Sequence, residues 1–398
     1  MIDIIKVSFI FLFILFLLRK KLSVGYALLV GSLIFLVFYS FDFKSLLYII
    51  FKGLTSSSSI NLFLSLTLIK SFEYALRQTG LMQKMTETSQ TLLNSKKLSI
   101  LSMPLIIGML PSLGGAYLSA PMVDSATKNI NMPKEEKAFI NYWYRHPWEL
   151  ILPLYPGVVL ASAVSGVSLR KLIILNLPVA VILFIAGFLL SMHGVKNEKK
   201  VNKPASFKGL MSFVPIVLVL LPVIFFKIEL YIALISNLLI VCIYHQKTIK
   251  ETLSIIKYGF TADVFILVAG VIIFKEMLQA SGAVDGIATT ITQSGIPYLV
   301  VFITLPLFIG LITGLSVGFV GSTFPLLIHL KETLPYEISI AFVSGYVGVL
   351  LSPLHLCLIL TREYFKADMT GIYRKIIPGC IMIFFTALIE FVILRYYS

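Results

Sequence analysis

Apolar runs of about 18 residues or more recur along the chain, cut by short loops carrying Lys and Arg. Runs of that length cross a bilayer core of roughly 30 Å. In the first half, spans are predicted near 4–18, 24–40 and 60–78, with an amphipathic stretch, Lys44 to Gly53, between the second and third. Leu98 to Thr127 is apolar but broken by Pro104, Pro111, Gly114, Gly115 and Pro121. A fourth span covers 138–165, interrupted by Pro147, Pro153, Pro156 and Gly157, and a fifth covers 172–192. The second half repeats this order: spans near 209–226, 229–245 and 261–280, an amphipathic stretch from Lys247 to Lys257, a Gly-rich segment 296–330, a broken span 337–361 and a last span 372–394.

The repetition reaches individual residues. Phe63-Leu64-Ser65, Phe72 and Leu76 match Phe265-Ile266-Leu267, Phe274 and Leu278 at an offset of 202. Ile107-Gly108-Met109-Leu110 matches Ile309-Gly310-Leu311-Ile312, and Tyr144 matches Tyr346, at the same offset. Gly53-Leu54-Thr55 echoes Gly259-Phe260-Thr261. Two similar halves with broken helices are a usual design of secondary transporters. We expect residues 1–195 to form one repeat, 196–208 a cytoplasmic linker and 209–398 the second repeat.

If the two Gly/Pro-broken segments are re-entrant hairpins, each half crosses five times. An odd number inverts the second half relative to the first. The basic residues agree, clustering in alternate loops: Arg19 to Lys21, Lys96 and Lys97, Lys128 to Lys137, Lys196 to Lys203, Lys247 and Lys250, and Arg362 to Lys375. By the positive-inside rule these loops are cytoplasmic and both termini external. The expected fold is therefore an all-α polytopic membrane protein of two inverted repeats, each with a hairpin and a broken helix, working as an elevator.

Composition supports the membrane: 58% of residues are hydrophobic, 13% are charged, and mean hydropathy is +0.95. A net charge of +14 invites a nucleic-acid reading, but the cations lie in short inter-span loops, so no nucleic-acid partner is expected. Cys242, Cys357 and Cys380 lie singly in apolar runs, without metal spacing and in odd number. The first segment has no small-residue cleavage site and reads as a retained span.

Candidate chemistry concentrates in the breaks. The first hairpin tip offers Ser112, Gly114, Gly115 and Ser119; the second offers Thr313, Gly314, Ser316, Ser322 and Thr323. Unwound backbone at membrane depth persists where protein or a water-filled cavity satisfies it, and such turns present amides, carbonyls and hydroxyls to substrates and ions. Alternatively, Gly310, Gly314 and Gly318 form overlapping GxxxG patterns that let helices pack closely. Gly314-Leu315-Ser316-Val317-Gly318 also fits the G-x-S-x-G elbow of serine hydrolases, which needs a strand-to-helix turn. In the fourth span, Arg145 can hold a carboxylate with two parallel hydrogen bonds. His146 and Glu149 can exchange protons. Competing readings pair Arg145 with Glu149 on one helix face or set the cluster at the interface. The second break, Ser352-Pro353-Leu354-His355, carries another histidine, either functional or a satisfied structural group. Lys70, Glu73, Lys275 and Glu276 are read as lying near span ends.

The order of elements resembles the ion transporter superfamily. That group includes citrate and dicarboxylate symporters, gluconate permeases and the large membrane subunit of periplasmic-binder-dependent carboxylate transporters. The segments Gly108 to Ala116 and Leu118 to Val123 look most like an uncharacterised prokaryotic integral membrane family within it. The resemblance implies an elevator mechanism and a homodimer. The Ser-Asn-Thr signature of dicarboxylate/sodium symporters is absent, so sodium coupling and dicarboxylate choice do not carry over.

The resulting expectation is a secondary active carrier of a small organic anion in the cytoplasmic membrane. Ser112, Gly114, Gly115, Arg145, His146, Thr313, Gly314, Ser316, Ser322, Thr323 and His355 would meet the substrate. Ser119, Glu149 and Ser352 would serve a coupling Na⁺ or H⁺. No cofactor, resident metal or Walker motif is expected. An ion/proton antiporter using Glu149 and His146, a polytopic membrane enzyme and a passive channel are the alternatives.

Overall fold

The computed structural model describes residues 2–92, 95–111, 115–128, 130–193, 195 and 207–397. These residues form helices and connecting turns, with no strand among them. The first half contains α1 (Ile2–Arg19), α2 (Val24–Phe38), α3 (Phe43–Thr55), α4 (Ser57–Gln78), α5 (Leu81–Leu92), α6 (Lys96–Ile107), α7 (Gly115–Ala126), α8 (Lys134–Trp143), α9 (Pro147–Ile151), α10 (Pro156–Ser165) and α11 (Leu169–Ser191). The second contains α12 (Phe207–Leu210), α13 (Val214–Phe225), α14 (Leu230–Tyr244), α15 (Ile249–Gly259), α16 (Ala262–Ala280), α17 (Ala283–Gln293), α18 (Tyr298–Thr313), α19 (Ser316–Leu330), α20 (Pro335–Leu351), α21 (Leu356–Phe365) and α22 (Met369–Tyr397).

Helices occupy every predicted span. Two short helices, α5 and α17, were not anticipated. Each is amphipathic, with a polar face rich in Thr and Gln that reads as loop in sequence. Among the described residues, five apolar runs are long enough to cross a membrane, at 134–165, 169–191, 249–280, 335–365 and 369–397. Two bent pairs, 46–55 with 57–78 at 52° and 283–293 with 298–313 at 120°, raise the number to seven. The outward faces agree. On α11, Ile174, Leu177, Val181, Ile185 and Leu189 are exposed at helical spacing, and on α22 Ile377, Ile381, Phe385 and Ile389 are too. Apolar stripes of that extent are costly in water and at home in hydrocarbon. The protein is a polytopic membrane protein.

Helix packing follows small residues. α2 crosses α16 at Gly25 and Gly270, and α18 meets α20 at Gly310, Gly345 and Gly348, so Gly310 serves close packing as the GxxxG alternative foresaw. Trp143 is wedged between Gly187 of α11 and Gly379 of α22, and its indole N–H donates to the Leu183 carbonyl at 2.8 Å. The amphipathic helices also sit on glycine: Gly53 of α3 meets Glu276 and Ile272 of α16, and Gly259 of α15 meets Thr67 and Ser71 of α4. Lys70 is tied by a 2.9 Å hydrogen bond to Thr261, at the α15–α16 junction.

A Cβ on Gly270 would lie 2.4 Å from the Gly25 carbonyl oxygen, backbone that cannot rotate away. Gly270→Val should therefore destabilise by about 1–3 kcal/mol, the usual cost of overpacking. Ile381→Val, on the exposed face of α22, should be nearly neutral. Thermal unfolding of both in detergent checks this; equal melting temperatures would contradict the crossing.

Candidate functional site

Two breaks organise the centre. α8 stops at Trp143, and Tyr144, Arg145 and His146 turn the chain into α9, which starts with Pro147. After Leu152 and a turn through Pro153 and Leu154, closed by the Tyr155 amide on the Leu152 carbonyl at 3.1 Å, α10 starts with Pro156. Proline fits a first helical position because its missing N–H has no partner there anyway. In the second half α20 ends at Leu351, Ser352 is extended before Pro353, and α21 begins after His355. Each interruption leaves carbonyls without helical donors.

Side chains from other elements supply those donors. Tyr142 donates to the Leu350 carbonyl at 2.9 Å, and Tyr346 donates to the His146 carbonyl at 2.7 Å. Tyr373 caps Leu351 at 2.8 Å, and Asn176 caps Leu150 at 3.1 Å. Trp148 donates to the Leu105 carbonyl at 2.6 Å. At the hairpin ends, Tyr155 donates to the carbonyl of Gly108, the C-cap of α6, and the His355 Nδ1 sits 2.8 Å from the carbonyl of Gly314, the C-cap of α18. Tyr155 and His355 are themselves the N-caps of α10 and α21. Each half thus ties the end of its hairpin's first arm to the residue after its own break.

The breaks bring titratable groups together. The Nε2 atoms of His146 and His355 are 3.0 Å apart. The other nitrogen of His146 faces the Tyr142 carbonyl at 2.6 Å. Glu149 Oε1 lies 3.8 Å from His146 Nε2. A ring nitrogen of each histidine and the Cys357 Sγ all lie within 4.8 Å of one another, and these three donors converge as metal ligands do. Arg145 is only 5% exposed, and its Nε and Nη1 have no hydrogen-bond partner. Arg145 and Glu149 are not an ion pair, because the helix that would align them is broken between Trp143 and Pro147. Glu149 faces His146 instead.

Of the anticipated site residues, Arg145, His146, Glu149, Gly314, Ser352 and His355 converge here. Gly314 has φ +64, which favours glycine, and a Cβ there would meet the His355 amide nitrogen at 2.9 Å and Ser352 Oγ at 3.0 Å. Ser352 Oγ accepts from the Leu354 amide at 3.2 Å. Thr313 Oγ donates to Ile309 at 2.8 Å, and Ser316 starts α19 against Gly157. The turn joining Gly314 to Ser316 links two helices, not the strand and helix of a hydrolase elbow. Gly115 is buried at the start of α7. Ser119, Ser322 and Thr323 are buried with hydroxyls donated one turn back along their own helices, at 3.1, 2.7 and 2.7 Å. Ser112 and Gly114 lie outside the described residues. Sequence reasoning passed over Cys357, Tyr142, Tyr155 and Tyr346 as site-forming groups. The available signal for Cys357 was its position two residues after His355.

With this geometry in view, the sequence matches, over residues 4–394, the family described as "Protein of unknown function (DUF401)", and the chain belongs to that family. No curated protein matches it.

Tyr346→Phe should leave the buried His146 carbonyl with the Glu149 amide, 3.1 Å away, as its remaining donor, at a cost of about 0.5–1.5 kcal/mol. Tyr142→Phe should cost a similar amount at Leu350. Melting curves of the two variants and the parent protein provide the measurement. Parent-like stability in both would mean that water or another group caps these carbonyls.

Proposed function

We propose that the protein is a secondary active transporter of a small organic anion, with a carboxylate as the group recognised. The observation that carries this is Arg145, a buried guanidinium in a membrane-spanning segment with two nitrogens unpartnered. A charge in that position is expensive without a partner and by default marks a functional site. Its planar fork suits a carboxylate. The two hairpin ends contribute beside it: a Cβ on Gly108 would meet the Arg145 backbone oxygen at 2.5 Å, and Gly314 contacts Ser352 and His355.

The proposed architecture is an inverted repeat. Its support is reciprocity, the mark of a two-fold axis, in which residue i meets j and the equivalents of i and j meet in turn. Tyr142 and Tyr346 are 204 positions apart, and so are His146 and Leu350; each tyrosine caps the other half's carbonyl. Helix contacts pair likewise: α2 with α16 and α14 with α4, α3 with α16 and α15 with α4, α10 with α19 and α21 with α7. The hairpins α6–α7 and α18–α19 and the broken spans would move together against the remaining helices, as in the ion transporter superfamily, driven by a coupling cation.

Two measurements test this. In proteoliposomes loaded with candidate organic acids, the parent protein should exchange tracer without altering it chemically. Arg145→Lys should weaken anion binding by roughly 10- to 150-fold, the loss of one hydrogen bond to a charged group. Undiminished binding in Arg145→Lys would remove the carboxylate fork from the proposal. For orientation, single cysteines at Asn197 and Ser398, in a background lacking the three native ones, should label from opposite sides of the membrane. Labelling from one side would sink the inverted repeat.

A further inference from the structure

The tautomers of the central histidines create a problem that the anion proposal does not solve. The His146 Nδ1 faces the Tyr142 carbonyl at 2.6 Å, and the His355 Nδ1 faces the Gly314 carbonyl at 2.8 Å. A carbonyl only accepts, so each Nδ1 carries the hydrogen. When both rings are neutral, their unprotonated Nε2 lone pairs face each other across 3.0 Å. Two lone pairs in a buried site call for a cation beside them.

We propose that His146, His355 and Cys357 bind a soft divalent transition metal of the zinc class, with Glu149 as the fourth ligand. This inference rests on the donor geometry alone and stands independently of the anion reading. The donors are the types such metals take in tetrahedral sites: two imidazole nitrogens, a thiolate and a carboxylate. All three primary atoms already lie within 4.8 Å of one another, and Glu149 Oε1 is 3.8 Å from His146 Nε2. Metal–nitrogen bonds of about 2.0–2.1 Å at a tetrahedral angle separate two nitrogens by about 3.3–3.4 Å. The rings need to part by only a few tenths of an ångström. The outer bonds fit as well, since metal-binding histidines usually donate the second ring N–H to a backbone carbonyl or carboxylate, which fixes the tautomer. On binding, the Cys357 S–H bond breaks, the sulfur keeps the electron pair as a thiolate ligand, and the proton leaves to water. The ion would join the first break, through His146 and Glu149, to the second, through His355 and Cys357.

Cobalt(II) is the probe, because its d–d bands report geometry and its charge-transfer band reports thiolate. Full-length protein in detergent, stripped with chelator, is titrated with Co²⁺ and then with Zn²⁺. The expected result is one Co²⁺ per chain, visible bands of tetrahedral intensity, a near-ultraviolet thiolate-to-cobalt band, and loss of both on adding Zn²⁺. Cys357→Ser should abolish the charge-transfer band and lower affinity by more than the roughly 10- to 100-fold typical of outer-shell changes. Cys242→Ser and Cys380→Ser should leave the spectrum unchanged. A parent protein whose cobalt stays octahedral or unbound would overturn the site and leave a proton shared by the histidines as the cation. Persistence of the charge-transfer band in Cys357→Ser would also overturn it. The spectrum requires no transported anion, so its failure is separate from failure of the transport proposal.

Discussion

In hydrocarbon, a backbone carbonyl without a donor costs several kcal/mol, and this protein interrupts its helices inside the spans that cross it. The rest of the structure depends on meeting that cost. Tyr142, Tyr346, Tyr373, Tyr155, Asn176, Trp148 and His355 each face a carbonyl that a break or a helix end has released. The aromatic residues suit the task because each carries an apolar body with one polar tip. The ring fills the core while the hydroxyl or N–H reaches the orphaned group. Trp143 extends the same logic: it is buried, bonded to Leu183, and admitted by glycines on two neighbouring helices.

The caps have a second effect. Because the donors come from other elements, satisfying the backbone also fixes the site. His355 can face Gly314 only if α21 and the end of α18 are in register, and its other nitrogen is then aimed at His146. The Tyr346 bond to the His146 carbonyl sets the backbone of the residue that carries the opposing ring. Arg145 stands apart from the capping residues, together with the Tyr144 hydroxyl and the Asn141 side-chain oxygen, which are also buried without a partner. Its neighbours on both sides are held through ring or carbonyl contacts, while its own guanidinium retains unpartnered nitrogens. A fold that caps seven carbonyls and leaves part of a cation open is consistent with a charge kept for a ligand.

Much of the fold was legible in sequence, because helices in a bilayer advertise themselves by length and apolarity, and Pro and Gly mark the interruptions. The breaks at Pro147, Pro156 and Pro353 were expected and are present. Short amphipathic elements were not legible: α5 and α17 are helical with polar faces that resemble loops. Within the site, spacing misled wherever it assumed a continuous helix. Arg145 and Glu149 are four apart but stand on either side of a turn. Ser119, Ser322 and Thr323 donate their hydroxyl hydrogens along their own helices, as Ser and Thr in apolar helices commonly do, so what they offer a ligand is oxygen lone pairs. Cys357 lacks a complete local ligand motif: His355 is two residues away, but His146 and Glu149 come from a chain segment some 200 residues away, which no local motif can register. The repeat offset of 202 set Tyr144 against Tyr346, whereas the reciprocal bonds set Tyr142 against it.

The distribution of bonds also bears on what can move. Tyr155 and His355 tie each hairpin to its own break, and Tyr142 and Tyr346 tie the two breaks to each other. Asn141 adds a further tie, from α8 to the Ala116 carbonyl of α7 at 3.1 Å and to Thr361 of α21 at 2.9 Å. Separating these elements would expose several buried polar groups to hydrocarbon at once. The face of α19 at Gly321 is different: the nearest atoms to a Cβ there would be methyl groups of Val271, Leu28 and Leu160. Of these, Val271 and Leu28 belong to α16 and α2, which lie outside the bonded group. At that contact, sliding exchanges one apolar group for another. Under the proposed transport mechanism, motion that carries α6–α7, α18–α19 and the breaks as one body past α2 and α16 is the displacement this bonding pattern would oppose least.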